Sequence, residues 1–206
     1  MSKKLIVLLI VVVLLIGGFI TYYYFTNKDA LAFKKDFETH NNESFKSEGK
    51  TYKYKEVKVE MKNPVIYIKD EDILKELQNG SKMILFGSAE NNDTREIVPT
   101  LFKAAKDNGV EEIYYYHIKD LEKKYEKGDK SAEKVYESIV KMLDKNLTEK
   151  FVDGKEKDKK KITVPTVIVV NKGKIVSYKS GKQEQMELYK IYENMMLDLI
   201  MCTDDC

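Results

Sequence analysis

The sequence predicts an α/β domain, a mixed sheet flanked by helices, preceded by one N-terminal transmembrane helix. Three observations predict it. A long apolar run opens the chain; strand and helix periodicities alternate from Asn63 onward; and the last two strand-like runs are only three residues apart. Alternating β and α segments bury their apolar faces best as a sheet sandwiched between helices.

At the N-terminus, Lys3 and Lys4 precede 16 unbroken apolar residues, Leu5 to Ile20, and Thr21 to Phe25 extend the uncharged stretch to 21. A helix needs about 20 residues to cross the hydrocarbon core. Tyr22, Tyr23, Tyr24 and Phe25 stand where an aromatic belt marks the far interface. Gly17-Gly18 followed by Phe19 is a poor cleavage site and no cysteine follows the run, which favours an uncleaved signal anchor over a removed leader or a lipidated terminus. The two lysines hold the short N-terminus in the cytoplasm, so the rest is expected outside. The expected division is a cytoplasmic stretch over 1–4, a transmembrane anchor over 5–25, a juxtamembrane extension over 26–62, the α/β domain over 63–201 and a cysteine-containing tail over 202–206.

The chain holds 36 basic residues, two of them Lys3 and Lys4, against 34 acidic ones. That balance gives no electrostatic footprint for nucleic acid. KEKDKKK (Lys155 to Lys161) reads as a solvated loop, with a basic binding patch as the alternative. Abundant Lys, Asn, Ile and Tyr without Trp suggests an AT-rich bacterial genome.

The elements follow in order. Leu31, Phe33 and Phe37 give the extension an amphipathic helical start, and the tyrosine alternation in KTYKYKEVKVEM gives it a short strand. VIYIKD, after Asn63-Pro64, is a strand. DEDILKELQNG is a helix with Asp70 or Asp72 as cap and Gly80 as stop. KMILFG is a short apolar run suited to a strand buried on both faces. A helix from about Thr94 to Asn108 carries the stripe Ile97, Val98, Leu101, Phe102, Ala104 and Ala105, and Gly109 closes it. EEIYYYHI is a strand, and Ser131 to Leu147 a helix with Ala132, Val135, Tyr136, Ile139, Val140 and Leu143 on one face. Glu149 to Lys161 is a charged loop. TVIVV and KIVSY flank Asn171-Lys172-Gly173, which is short enough for an antiparallel hairpin. Gln185 to Met201 forms the last helix.

This order resembles the thioredoxin fold, and three local features carry the resemblance. FGSAENNDTR takes a strand end into a helix where that family has a C-x-x-C motif often followed by Lys or Arg. Pro99 lies inside that helix. Val164-Pro165-Thr166 immediately precedes a strand, like the family's cis-proline loop. FKKDFE, NPVIYI, the FG turn, IVPTLFKAAKDNGVEEIYYYHI and the final cysteine pair further resemble membrane-anchored thioredoxin-like proteins of Gram-positive bacteria, some described as bacteriocin-transport accessory proteins. The likeness spans about Phe33 to Cys206.

Aligning Phe86-Gly87 and Arg95 puts the family's two cysteines at Asn91 and Thr94, with Asn92 and Asp93 between them. Dithiol exchange needs one thiolate to attack a disulfide and a second thiol to resolve the mixed disulfide. An amide and a hydroxyl do neither, so the site is expected to be degenerate and no catalytic residue is assigned to it. NNDT reads either as a helix cap, with Asp93 or Thr94 accepting from free N–H groups, or as part of a retained peptide-holding groove. The resemblance implies that the backbone at Val164, Pro165 and Thr166 pairs with an extended segment, a form of β-augmentation. It also implies a cis bond before Pro165.

Cys202 and Cys206 are the only cysteines. An extracytoplasmic setting favours a disulfide between them that staples the last turn; a redox-active or partner-linking pair and a metal site with Asp204 and Asp205 remain open. His117 ends a strand and reads as an edge or core histidine rather than a base. No Gly-rich phosphate loop, Ser-His-Asp set or metal-ligand cluster stands out, so no cofactor and no metal are expected. The sequence thus points to a single-pass membrane protein whose outer domain binds an exported or envelope protein. An oxidoreductase using Cys202 and Cys206, and a structural subunit of an envelope or secretion machine, are the alternatives.

Overall fold

The computed structural model describes residues 3–47, 49–151 and 158–204. Helix α1 (Lys3–Thr26) takes up the apolar run, and α2 (Lys28–Thr39) follows it. Asn27 joins them, its amide donating to the Tyr23 carbonyl at 2.9 Å. Among the described residues no single helix is long and apolar enough to cross a membrane; residues 10–26 with α2, bent by 70°, are so together, by length and composition.

The stripe on α2 is where the spacing puts it: Phe33 and Phe37 are fully buried, stack at 4.0 Å, and Phe33 meets Tyr115 edge-on at 5.0 Å. The tyrosine-rich stretch forms an antiparallel hairpin, β1 (Ser44–Ser47) and β2 (Lys50–Lys53). Beyond it the chain runs extended and buries Val57 and Val59 in the same core as Phe33 and Phe37.

The central sheet comprises β3 (Val65–Tyr67), β4 (Ser81–Gly87), β5 (Ile113–His117), β6 (Thr166–Asn171) and β7 (Lys174–Ser180), in the order β3-β5-β4-β6-β7. β3, β5 and β4 are parallel, while β6 runs antiparallel to β4, and β7 to β6. The connecting helices are α3 (Ile73–Gln78), α4 (Asn92–Asp107), α5 (Ile118–Glu126), α6 (Lys130–Leu143) and α7 (Gln185–Asp204). β4 lies at the centre and alternates between two cores, as a strand of period two must. Met83 and Leu85 face α2, α4 and α7, whereas Ile84 and Phe86 face α3, α5 and α6. This is an α/β fold with a mixed sheet covered on both faces, the thioredoxin-like architecture that the resemblance implies.

Some local outcomes differ from expectation, among them α6, which ends at Leu143 rather than Leu147. The crossover from β5 to β6 contains two helices rather than one: Ile118, Leu121 and Tyr125 make α5 amphipathic and all three are buried. The run IKDLEKKYE is so rich in charge that its narrow stripe is easily overlooked. α4 begins at Asn92, two residues before the expected Thr94. The hairpin after β6 forms as expected. Lys172 (φ 46°) and Gly173 (φ 79°) are both left-handed, the conformation of a two-residue turn that matches strand twist. The Val164–Pro165 peptide is cis, as expected.

Candidate functional site: the start of α4, the Pro165 loop and the strap across them

β4 ends at Gly87, and the residue type there is dictated by crowding. A Cβ at this position would stand 2.8 Å from Thr94 Cγ2 and 3.1 Å from Tyr115 Cε2. The absence of a side chain lets the strand pass close under the first turn of α4. The chain then turns through Ser88 to Asn91, with the Asn91 N–H donating to the Ser88 carbonyl at 3.1 Å and the Glu90 N–H to Ser88 Oγ at 3.1 Å.

The cap of α4 is Asn91, not Asp93 or Thr94. Asn91 Oδ1 accepts from the Thr94 N–H at 2.7 Å and from Thr94 Oγ1 at 3.0 Å. The two positions aligned with the family's cysteines therefore bond to each other, through an amide and a hydroxyl. Asp93 sits in the first turn, where the helix dipole favours a carboxylate, and pairs with Lys182 at 3.2 Å. Thr94 is fully buried, while Asn91, Asn92 and Asp93 are half-buried.

Next to this turn lies the Pro165 loop. Thr166 pairs with Phe86 across β6 and β4, and the Pro165 carbonyl accepts from the Gly181 N–H at 2.8 Å. Lys182, one residue further, reaches Asp93, so the expected site residues are brought to one end of the sheet. Thr166 Oγ1 donates to the Thr163 carbonyl at 2.7 Å. Among the described residues no hydrogen bond engages the N–H or C=O of half-buried Val164. A main-chain pair left open at the rim of a sheet is what an added strand takes up.

The opposite flank of the turn is covered by the chain's own residues 53–59. Buried or part-buried backbone must find partners; Lys53 still pairs with Ser44 of β1 and the Tyr54 N–H donates to the Glu43 carbonyl at 3.1 Å, but residues 55–59 belong to no strand. Side chains supply the partners there. The Asn92 amide donates to the Lys53 carbonyl at 3.1 Å and accepts from the Lys55 N–H at 2.7 Å. Asn41 does the same for Val57, donating to its carbonyl at 2.8 Å and accepting from its N–H at 3.0 Å. Glu38 Oε1 accepts from the Val59 N–H at 2.9 Å, and Lys55 pairs with Glu96.

Arg95 fastens the arrangement. It is 1% exposed, and its guanidinium donates to the carbonyls of Phe37 (2.6 Å), Ala89 (3.1 Å) and Lys55 and to Asn41 Oδ1 (2.6 Å). It also lies over the Tyr54 ring at 5.7 Å. Burial lowers its proton affinity, against the pull of Tyr54, Asp36 and Glu43. Sequence reasoning placed Arg95 only as the basic residue after the motif. Nothing in a lone arginine two turns from the nearest aromatic announces a buried staple. The asparagines Asn41 and Asn92 were equally silent, because their partners are main-chain atoms far along the chain.

Behind the Pro165 loop, the Ile162 N–H donates to the Tyr136 hydroxyl at 3.1 Å, and that hydroxyl donates to Glu122 Oε1 at 3.4 Å. Glu122 is 7% exposed; burial pushes its carboxyl up to about 7, with Lys161 opposing. His117 ends β5, an interior strand, in register with Gly87, and meets Asp120 through Nδ1 at 2.9 Å, so it is a strand-end histidine held by a carboxylate rather than one on a sheet edge.

Cys202 lies elsewhere. Its carbonyl accepts from Ser81 Oγ at 3.3 Å, and Ser81 begins the seven-residue β4 that Gly87 ends. At about 3.3 Å per residue the two ends are about 20 Å apart. The expected disulfide to Cys206 falls outside the described residues. Among the described residues no group of three or more His, Cys, Asp or Glu side chains is placed to hold a metal ion.

No family model matches the chain, and no curated protein does. Among solved structures, the chain is similar to oxidised thioredoxin O2 from Arabidopsis thaliana at 12% identity and a TM-score of 0.41, over 65% of this chain and 96% of that one. A likeness of that size assigns neither family nor activity; the fold rests on strand order and register.

Proposed function

We propose that this chain is a membrane-anchored, extracytoplasmic, thioredoxin-like accessory module that holds an extended segment of an exported or envelope protein and performs no dithiol exchange at α4. The observation that carries the reading is the open main-chain pair of Val164 beside a capped, thiol-free turn. The apolar run with Lys3 and Lys4 before it supports the anchor and its orientation. The absence of cysteine at Asn91 and Thr94 supports a degenerate motif, since hydrogen bonding is the chemistry their side chains retain. The likeness of sequence to Gram-positive accessory proteins of bacteriocin transport supports the class of partner.

The test is site-specific photo-crosslinking of the full chain in its own membrane. A photoreactive residue at Val164 is expected to give a discrete adduct, and one at exposed Val176 on β7 is expected to give none. Insulin-disulfide reduction by the same protein should stay at background. No adduct at Val164, or reduction that Cys202→Ala abolishes, would reverse the reading in favour of an oxidoreductase using the tail.

A further inference from the structure

We propose that the outward face of α2 and of the β1–β2 hairpin, bearing Lys28, Lys35, Lys46 and Lys53, rests on anionic phospholipid headgroups. The inference rests on the membrane anchor proposed above and adds to it a surface that fixes how the domain is held over the bilayer.

α2 divides its charges between two faces. Its acids turn to the domain or its flank. Asp29 accepts from the Tyr67 N–H at 3.1 Å, Glu38 accepts from Lys34 at 2.6 Å and from the Val59 N–H at 2.9 Å, and Asp36 is half-buried. Lys28, Ala32, Lys35 and Thr39 follow one another at helical spacing, are all exposed, and share the face opposite buried Phe33 and Phe37. Neither Lys28 nor Lys35 has an ion pair among the described residues, whereas Lys34, on the inner side, has Glu38. The outward face of α2 therefore carries positive charge only.

The bend after α1 brings that face to the bilayer. The axis turns by 70° into α2, which has 12 residues. At about 1.5 Å per residue α2 is about 18 Å long, and at that angle it climbs only about 6 Å along the direction of α1. A tilt of the anchor by about 20° raises the climb to about 12 Å at most, and the headgroup layer is itself about 5–7 Å deep. With α1 as the anchor, α2 thus runs along the membrane surface. The domain packed on Phe33 and Phe37 has to stay in water, so the exposed stripe is the side turned to lipid.

The charge continues into the hairpin. Phe45, Tyr52 and Tyr54 share one of its faces, and Tyr54 meets His40 at 5.0 Å and lies under Arg95, so that face turns to the body of the domain. Ser44, Lys46, Thr51 and Lys53 stand on the other. β1 and β2 carry Lys46, Lys50 and Lys53 and no acid, and these lysines too have no ion pair among the described residues. From Ser44 to Lys55 the sequence holds one acid, Glu48. The whole chain has 36 basic and 34 acidic residues, so this gathering beside the anchor is local and not a reflection of overall charge. Lysines next to a bilayer are drawn to anionic headgroups.

The chain contains no Trp, so a single introduced one reports its own depth. The full chain is placed in bilayer nanodiscs of phosphatidylcholine, or of phosphatidylcholine and phosphatidylglycerol in equal parts, with lipid brominated high on the acyl chain as quencher. Phe19→Trp, inside the anchor, is expected to be quenched in both lipids. Val176→Trp, exposed on β7 at the edge of the sheet opposite β3, is expected to be quenched in neither. Ala32→Trp and Thr39→Trp, on the outward face of α2, should be quenched in the phosphatidylglycerol discs alone. That quenching should fade as salt rises from about 0.1 M to about 1 M, where the screening length shrinks from about 10 Å to about 3 Å. Lys28→Gln and Lys35→Gln should each lower the ratio of quenched to unquenched Ala32→Trp about fivefold, and Lys46→Gln and Lys53→Gln should do the same to Thr39→Trp. Circular dichroism checks that every variant folds. Equal quenching in the two lipids, indifference to salt and to the lysine variants, or quenching at Ala32→Trp without Thr39→Trp would overturn the proposal. Phe19→Trp left unquenched while Ala32→Trp responds to phosphatidylglycerol would sink the anchor and keep the surface; a quenched Phe19→Trp with Ala32→Trp silent does the reverse.

Discussion

Arg95→Met removes the fastening of the strap while keeping most of the side-chain volume. Four hydrogen bonds vanish, to Phe37, Ala89, Lys55 and Asn41. Asn41 Oδ1 keeps the Val57 N–H as a donor, so three carbonyls bear the main loss. Each buried acceptor left without a partner costs about 1–3 kcal/mol, and the guanidinium's own desolvation cost is recovered on its removal. The net expectation is about 4 kcal/mol, out of the 5–15 kcal/mol typical of a domain, or a fall in Tm of about 10 °C. Urea unfolding of the full chain in micelles measures the first quantity. Amide exchange measures the second consequence: residues 53–59 should lose protection well before β4 does. A loss under about 1 kcal/mol with unchanged exchange in that segment would refute the claim that Arg95 holds the strap.

Two further outcomes follow from the same end of the molecule. Gly87→Ala drives a methyl into Thr94 Cγ2 and should cost about 1–3 kcal/mol; Thr94→Ser, which deletes Cγ2 but keeps the hydroxyl, should recover part of it in denaturant melts, and no recovery would misplace the clash. Glu122 has its folded-state pKa raised to about 7, so the folded chain holds the proton more tightly and stability falls as pH rises from about 4.5 to about 7, then levels. The ceiling is about 3 kcal/mol at 1.36 kcal/mol per unit. Glu122→Gln should flatten that slope relative to the parent when unfolding is compared at pH 5 and pH 8, and parallel slopes would refute the assignment.

What the sequence disclosed and what it hid divides along the range of the interactions. β4 was readable because an uninterrupted apolar run suits a strand buried on both faces, and Met83 to Phe86 do alternate between two cores. The turn at Lys172-Gly173 was readable because its conformation depends on two adjacent residues. α5 was missed because three apolar residues among six charged ones make a weak periodic signal, although Ile118, Leu121 and Tyr125 suffice once α6 and the sheet cover them. At the site, the likeness of Phe86-Gly87 and Val164-Pro165-Thr166 to a known fold located the right end of the sheet. It said nothing of the cap, because Asn91, Asp93 and Thr94 are all good capping residues and only the start of α4 decides between them. The strap was hidden altogether: Asn92 and Arg95 act on backbone atoms 37 and 40 residues away.

The strap gives the turn two unequal sides. Toward α2, Asn92 is bonded to residues 53 and 55 and Lys55 is paired with Glu96, so main chain already occupies that flank. Toward β7, among the described residues, the Lys182–Asp93 pair is what crosses the gap, and an exposed pair of this kind contributes at most about 1 kcal/mol. An incoming segment that displaced residues 53–55 would have to break hydrogen bonds and unseat Arg95. One that approached over Lys182 would lose a single weak ion pair and find the Val164 main chain open. The energetic asymmetry therefore makes the Pro165 side the more open flank for the segment proposed above and leaves residues 53–59 as a fixed wall of the turn.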